Sequence, residues 1–168
     1  MYKRQGTFDD VNAISKIAVN THLAGAAGTV AAAVVTRLLG GKTDIVMMLN
    51  GALAGLVAIT AEPLTPSPVL AIAIGAIGSL IMYFGTKFLE SKKIDDVVGA
   101  IPVHMFAGIF GTLVVPLSNS GTNFGTQLTG VIAVCVFSFV LSYITFKVLK
   151  QTIGLRTVSY THLTLPTT

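Results

Sequence analysis

The sequence predicts an all-α membrane protein with five transmembrane helices, and three observations carry that reading. Only 11% of the residues are charged while 52% are hydrophobic, where a soluble domain carries about 25% charged residues. The mean hydropathy is +0.79. The apolar residues gather in five long runs separated by polar or Gly/Pro-containing stretches, the pattern of segments that satisfy their backbone internally in lipid. The formal charge of +4 does not indicate a nucleic-acid partner, because the Lys and Arg residues are scattered between the runs rather than gathered on a face. A single cysteine, Cys135, in an apolar run leaves neither a disulfide framework nor a cysteine metal site. No Ser/His/Asp set, HExxH motif or carboxylate pair is placed for catalysis. An enzyme, a catalytic residue, a cofactor and a metal are therefore not expected.

The first run covers residues 11–39. It opens after Asp9 and Asp10, is rich in Ala, contains Asn20, Thr21 and His22, and ends at Arg37, Gly40, Gly41 and Lys42. It is long enough to cross with tilt. The second, residues 44–60, carries Gly51 and Gly55 as a GxxxG pair, with Ala54 and Ala58 repeating the small spacing. That is a helix-packing face. No strand precedes these glycines, so they do not form a phosphate loop. Glu62, Pro63, Thr65, Pro66 and Pro68 then make a loop by composition. The third run, residues 69–89, has Ala71, Gly75, Gly78 and Ser79 on its small side and leads into Glu90, Lys92 and Lys93. The fourth, residues 96–116, opens at the acidic pair Asp95 and Asp96, which suits the capped start of a helix. The fifth, residues 127–148, is rich in Val, Ile and Phe and reads as an outer helix facing lipid.

Orientation follows from charge. Arg37, Lys42, Lys87, Lys92, Lys93, Lys147, Lys150 and Arg156 lie at or just beyond the ends of runs one, three and five, whereas the loops after runs two and four hold neither Lys nor Arg. The positive-inside bias places the first group, and the carboxyl end, in the cytoplasm. Lys16 is the exception, close enough to the other end of its run to snorkel. Met1 to Gln5 and residues 159–168 do not continue the pattern beside them and read as foreign sequence, which leaves 6–158 as the membrane domain. An odd number of crossings is also what one half of an inverted repeat looks like, with a working site where two halves meet.

His104 lies near the middle of the fourth run. A titratable ring at that depth is costly and normally faces a partner or a cavity. Ala100, Ile101, Ala107 and Gly108, then Gly111, share its helical face, which is built mostly of small residues. Small residues admit either a packed backbone or a narrow passage. The alternative for His104 is a histidine bonded to a neighbouring helix carbonyl. Ala100 is a candidate lumen wall. Thr60 either lines the same passage or bonds its own i−4 carbonyl. His22 is expected to bond across helices, and Glu62 to be solvated. Pro102 is expected to kink the helix a turn before His104 and to free the Val98 carbonyl.

The stretch Lys93-Ile94-Asp95-Asp96-Val97-Val98-Gly99-Ala100-Ile101-Pro102-Val103-His104, followed by Gly108-Ile109 and Gly111, resembles the tenth membrane helix of the ammonium transporter (Amt/Mep/Rh) family. Asn20-Thr21-His22-Leu23-Ala24 resembles the seventh helix of that family, and Leu49-Asn50-Gly51-Ala52-Leu53-Ala54-Gly55-Leu56-Val57-Ala58-Ile59-Thr60-Ala61 the eighth. Ile153-Gly154-Leu155-Arg156 looks like the start of its cytoplasmic tail. The sequence departs from the family at Val97, where Pro is frequent, and at Pro102 and Met105, where small residues are common. The resemblance implies helices 7–11 of an eleven-helix inverted-repeat protomer in a cell (plasma or inner) membrane. It implies a homotrimer with one hydrophobic pore per protomer, ammonium or ammonia as substrate, and a cytoplasmic PII-type regulatory partner. His104 would be the second of two facing pore histidines, the first lying on a helix outside this chain. It also implies that this piece alone conducts nothing. Two alternatives stand beside transport: an ammonium sensor on the same fold, and an unrelated accessory membrane subunit.

Overall fold

The computed structural model describes residues 8–154, with side chains from residue 11 onward. The two foreign-looking ends, 1–5 and 159–168, lie outside the described residues, as do Leu155 and Arg156 of the tail motif. In chain order the helices are α1 (Phe8–Gly40), α2 (Ile45–Ile59), α3 (Pro68–Ser91), a π-helical stretch (Ile101–Phe106) that continues into α4 (Ala107–Ser118), and α5 (Phe124–Thr152). Each of the five expected runs is a helix, and no strand occurs among the described residues.

Among the described residues, four segments are long and apolar enough to cross a membrane: Val11–Gly40, Pro68–Ser91, Ile101–Ser118 and Phe124–Thr152. The remaining helix, α2, is apolar but has only 15 residues, about 22 Å at about 1.5 Å per residue, against a hydrocarbon core of about 30 Å. Its ends are set by polar groups. Asp44 is the N-cap and its carboxylate accepts from the Met47 N–H at 3.0 Å. Thr60 is the C-cap, and the Pro-containing loop follows. Likewise Ser67 caps α3 through the Val69 N–H, with Pro68 in the first turn, where its missing N–H costs no bond.

The chain divides into two compact units, residues 1–128 and 129–168. In the first, the buried residues of α1 are Asn20, Ala24, Gly25, Gly28, Ala32, Val35 and Thr36, a stripe at three- and four-residue spacing. Two helices close on that stripe. A Cβ added at Gly55 of α2 or at Gly75 of α3 would run into the backbone carbonyl of Ala24, and one at Gly28 would run into that of Gly51. The predicted GxxxG face of α2 is thus a contact surface at backbone distance. Ser79 adds a buried hydrogen bond from its hydroxyl to the Gly28 carbonyl, 2.7 Å. Packing at this range matters in lipid, where helices gain no hydrophobic drive against one another and associate through dispersion and interhelical hydrogen bonds. α4 joins by the same device, since a Cβ at Gly111 would strike the Ala58 carbonyl.

The loops at one end of this unit are tied together. Asn20, fully buried, donates through its amide to the carbonyls of Pro63 (3.0 Å) and Thr65 (3.2 Å). Asn119 donates to the Glu62 carboxylate at 2.8 Å, so Glu62 has a side-chain partner rather than being merely solvated. In the second unit α5 buries none of its residues. Its Phe139 and Tyr143 rings stack with centroids 6.4 Å apart, and the Lys147 ammonium lies 5.9 Å from the Tyr143 ring.

The glycine contacts predict a clear contrast. Gly75→Leu should destabilise the protein by about 3 kcal/mol, whereas Gly108→Ala should leave stability unchanged or slightly raised, because its added Cβ would only touch Val57 at 3.6 Å. Thermal unfolding in detergent measures both. Equal melting temperatures would show that the glycine contact at Ala24 is not what holds α1 to α3.

Candidate functional site

The fourth helix starts at Ile101, later than the expected 96, and the reason is a knot of polar contacts around residues 96–101. One Asp96 carboxylate oxygen accepts from the Ala100 N–H and the other from the Ile101 N–H, each at 2.9 Å. The acid therefore caps the helix as expected, but from four and five residues upstream. Between them Gly99 takes φ +74, a left-handed backbone that glycine adopts without strain. A Cβ there would also lie 2.7 Å from the Asn50 amide nitrogen. That nitrogen donates to the Val98 carbonyl at 3.1 Å.

These contacts change the expected role of Pro102. It sits in the first turn, with Ala100 as N-cap, and so does not kink a running helix. The Val98 carbonyl is free of helical partners because Gly99 turns the chain there, and Asn50 takes it up.

From Ile101 to Phe106 the helix is of π type, with the Ala107 N–H reaching back to the carbonyl of Pro102. A π turn has poorer hydrogen-bond geometry than an α turn and is frequent at functional sites. Here packing holds it on one side. Val103 is buried with Ala54, Met82 and Ala107. The Phe106 ring fills the notch left by Gly85, where a Cβ would collide with it. On the other side Ala100, His104 and Met105 are exposed. Among the described residues none hydrogen-bonds the His104 ring, so the structure does not show the neighbouring-carbonyl partner.

The expected face around His104 is therefore split. Ala100 lies on the exposed side with the imidazole, and Ile101 and Gly108 are half-buried. Ala107 and Gly111 are instead buried against the neighbouring helices. The wider π turn breaks the 3.6-residue spacing on which the expectation relied. Thr60 is exposed at the end of α2 and its hydroxyl donates to the Val57 carbonyl at 2.6 Å, three residues back, so its bond is a local one. His22 does not bond across helices: its Nδ1 pairs with the Ala18 carbonyl of its own helix at 2.7 Å. No cluster of three or more His, Cys, Asp or Glu among the described residues is placed to hold a metal ion.

Sequence reasoning missed Asn50 as part of this site. The available signal was Pro102, which has no N–H to give to the Val98 carbonyl. It did not say which side chain would supply the missing donor.

Residues 5–164 match the family model described as the Ammonium Transporter Family. The chain belongs to the ammonium transporter family. The Ammonium transporter Amt2 of Archaeoglobus fulgidus is 39% identical over 163 residues, a match that covers 85% of this chain and 35% of that protein. The structure resembles a solved chain titled Sensor Amt Protein, with TM-score 0.80, 34% identity and coverage of 86% of this chain and 39% of that one. It also resembles a Mep2 mutant from Candida albicans, with TM-score 0.74, 25% identity and coverage of 82% and 39%. The chain thus spans little more than a third of the length of these relatives. Ammonium transporters are transport proteins and not enzymes, and the five-helix fold expected from the motifs is the one found.

The Asp96 cap gives a local prediction. Asp96→Ala should cost about 1 kcal/mol and raise hydrogen exchange at the Ala100 and Ile101 amides, while amides in α2 keep their protection. Unchanged exchange at both would show that the cap does not hold the helix start.

Proposed function

We propose that the protein carrying this chain moves ammonium or ammonia across a cell membrane through a hydrophobic pore, and that His104 is one of two imidazoles relaying a proton there. The observation that carries this is the placement of His104. It sits on a family motif, inside a membrane-spanning helix, on a π turn that leaves the ring exposed while Pro102 and Val103 of the same turn are buried. An ion crossing hydrocarbon whole would lose its hydration at large cost. A route that strips the proton and passes the neutral base avoids most of that cost. The ammonium N–H bond breaks, an imidazole nitrogen takes the proton, and the proton is returned when the ring relays it onward. Imidazole suits the task because its charge changes near neutral pH.

On this reading the exposed side of His104 meets the half of the fold that the relatives carry outside the matched region, and an opposing histidine comes from there. Ala100 is a wall of the passage, and Thr60 at the end of α2 is a weaker candidate for the same wall. This chain alone conducts nothing. A homotrimer and a cytoplasmic PII-type regulator belong to the same reading and rest on family membership alone. An ammonium sensor on this fold is the second reading, favoured by the likeness to the chain titled Sensor Amt Protein. Flux measurement separates the two, since a sensor need not conduct.

In the complete protein reconstituted into liposomes, His104→Ala and His104→Asp should change ammonium-dependent flux by at least about tenfold or alter ion selectivity, with the protein still folded. Unchanged flux and selectivity would reject the role of His104. Charge distribution supports loops 41–44 and 92–100 facing the cytoplasm and loop 119–123 facing outward. With Cys135 replaced by Ser, a cysteine at position 121 should react with an impermeant reagent added to intact cells, and one at position 42 should not. The reverse pattern would overturn the orientation.

A further inference from the structure

We propose that Asn50 is a positioning residue for His104: its side-chain amide holds the Val98 carbonyl and so fixes the start of the π turn that aims the imidazole. This rests on the pore role given to His104 above and adds to it a residue on a different helix.

The backbone entering the fourth helix is held from two sides. Asp96 takes the N–H groups of Ala100 and Ile101. Asn50, reaching over from α2, takes the carbonyl of Val98 at 3.1 Å. Gly99 lies between these contacts in left-handed backbone, and the space a side chain would occupy there is filled by the Asn50 amide. Residues 98–101 therefore have little freedom to choose another helix start.

That start determines where His104 points. Successive residues of a helix are about 100° apart around the axis. If the start slipped by one residue and the π turn relaxed to an α turn, the imidazole would swing by about that angle. It would then leave the exposed side that it shares with Ala100 and turn toward the side where Val103 and Ala107 are packed. Asn50 is itself well placed to resist such a slip. Its neighbour Gly51 is the residue of α2 pressed against Gly28 of α1, with the Ser79 hydroxyl of α3 lying 2.8 Å from where a Gly51 Cβ would be. The amide is thus anchored in the rigid three-helix contact, and it passes the position of that contact to the helix that carries His104.

The test is a double-mutant cycle in the complete protein, reconstituted into liposomes and assayed for ammonium-dependent flux across a range of pH. Asn50→Leu keeps the size of the side chain and removes the donor. In an otherwise native protein it should lower flux about tenfold and displace the pH profile. In a His104→Ala background the same substitution should change flux by less than about twofold, because there is no longer a ring to misplace. Gly99→Ala attacks the same contact from the other side and should give the same loss and the same displaced profile. It decides the matter if Asn50→Leu fails to reach the membrane. The proposal is overturned if His104→Ala lowers flux while Asn50→Leu and Gly99→Ala leave flux and pH profile alone, or if the losses from Asn50 and His104 multiply in the double variant. A His104→Ala protein with native flux overturns it differently, by removing the pore role on which it depends.

Discussion

Backbone contact between α1, α2 and α3 is the constraint on which the rest of the first unit depends. Gly28, Gly51, Gly55 and Gly75 have no side chain where neighbouring carbonyls lie, and the Ser79 hydroxyl bonds one of those carbonyls. In water the burial of large apolar side chains would drive such a bundle. In lipid the same side chains are equally comfortable facing outward, so the fold has to be held by atoms close enough for dispersion and by polar groups satisfied between helices. Close approach also removes slack. Three helices locked at backbone distance cannot slide by part of a turn without a clash, and every residue they present elsewhere inherits that rigidity.

The His104 region uses it. The π turn is held on its packed side by Val103 and Phe106, the latter resting in the notch of Gly85 on α3, and at its start by Asp96 and Asn50. The energetically poor turn is tolerated because everything around it is fixed. What it gains is separation of roles within six residues: Pro102 and Val103 face the bundle while His104 and Met105 do not. A straight α-helix on this sequence would have placed Ala107 and Gly111 in line with the imidazole. In the structure those two small residues are buried contacts, and the exposed strip is narrower.

Much of this was legible in the residues. Five apolar runs marked five helices to within a few residues, because hydropathy and flanking charge follow directly from the absence of water in the bilayer core. The small faces of α2 and α3 were equally plain, since Gly and Ala at four-residue spacing serve few other ends in such a segment. Individual side-chain hydrogen bonds were harder to foresee. His22 pairs within its own helix, Glu62 accepts from Asn119 of a distant loop, and Asn50 finds Val98 across 48 positions. Each is a choice among several partners within reach, settled by tertiary placement and not by spacing. The π turn escaped for a related reason. A six-residue departure from 3.6-fold periodicity leaves no mark in composition, and the contacts that surround it, among them the Phe106 ring against Gly85, exist only once the helices are in place.

The brevity of α2 has a consequence of its own. A helix of about 22 Å beside longer neighbours is mismatched to a hydrocarbon layer of about 30 Å. A short apolar helix meets such a mismatch by local thinning of the layer, by flanking polar residues that reach outward, or by association with neighbours, and the backbone-distance contacts of α2 with α1 and α3 supply the last of these.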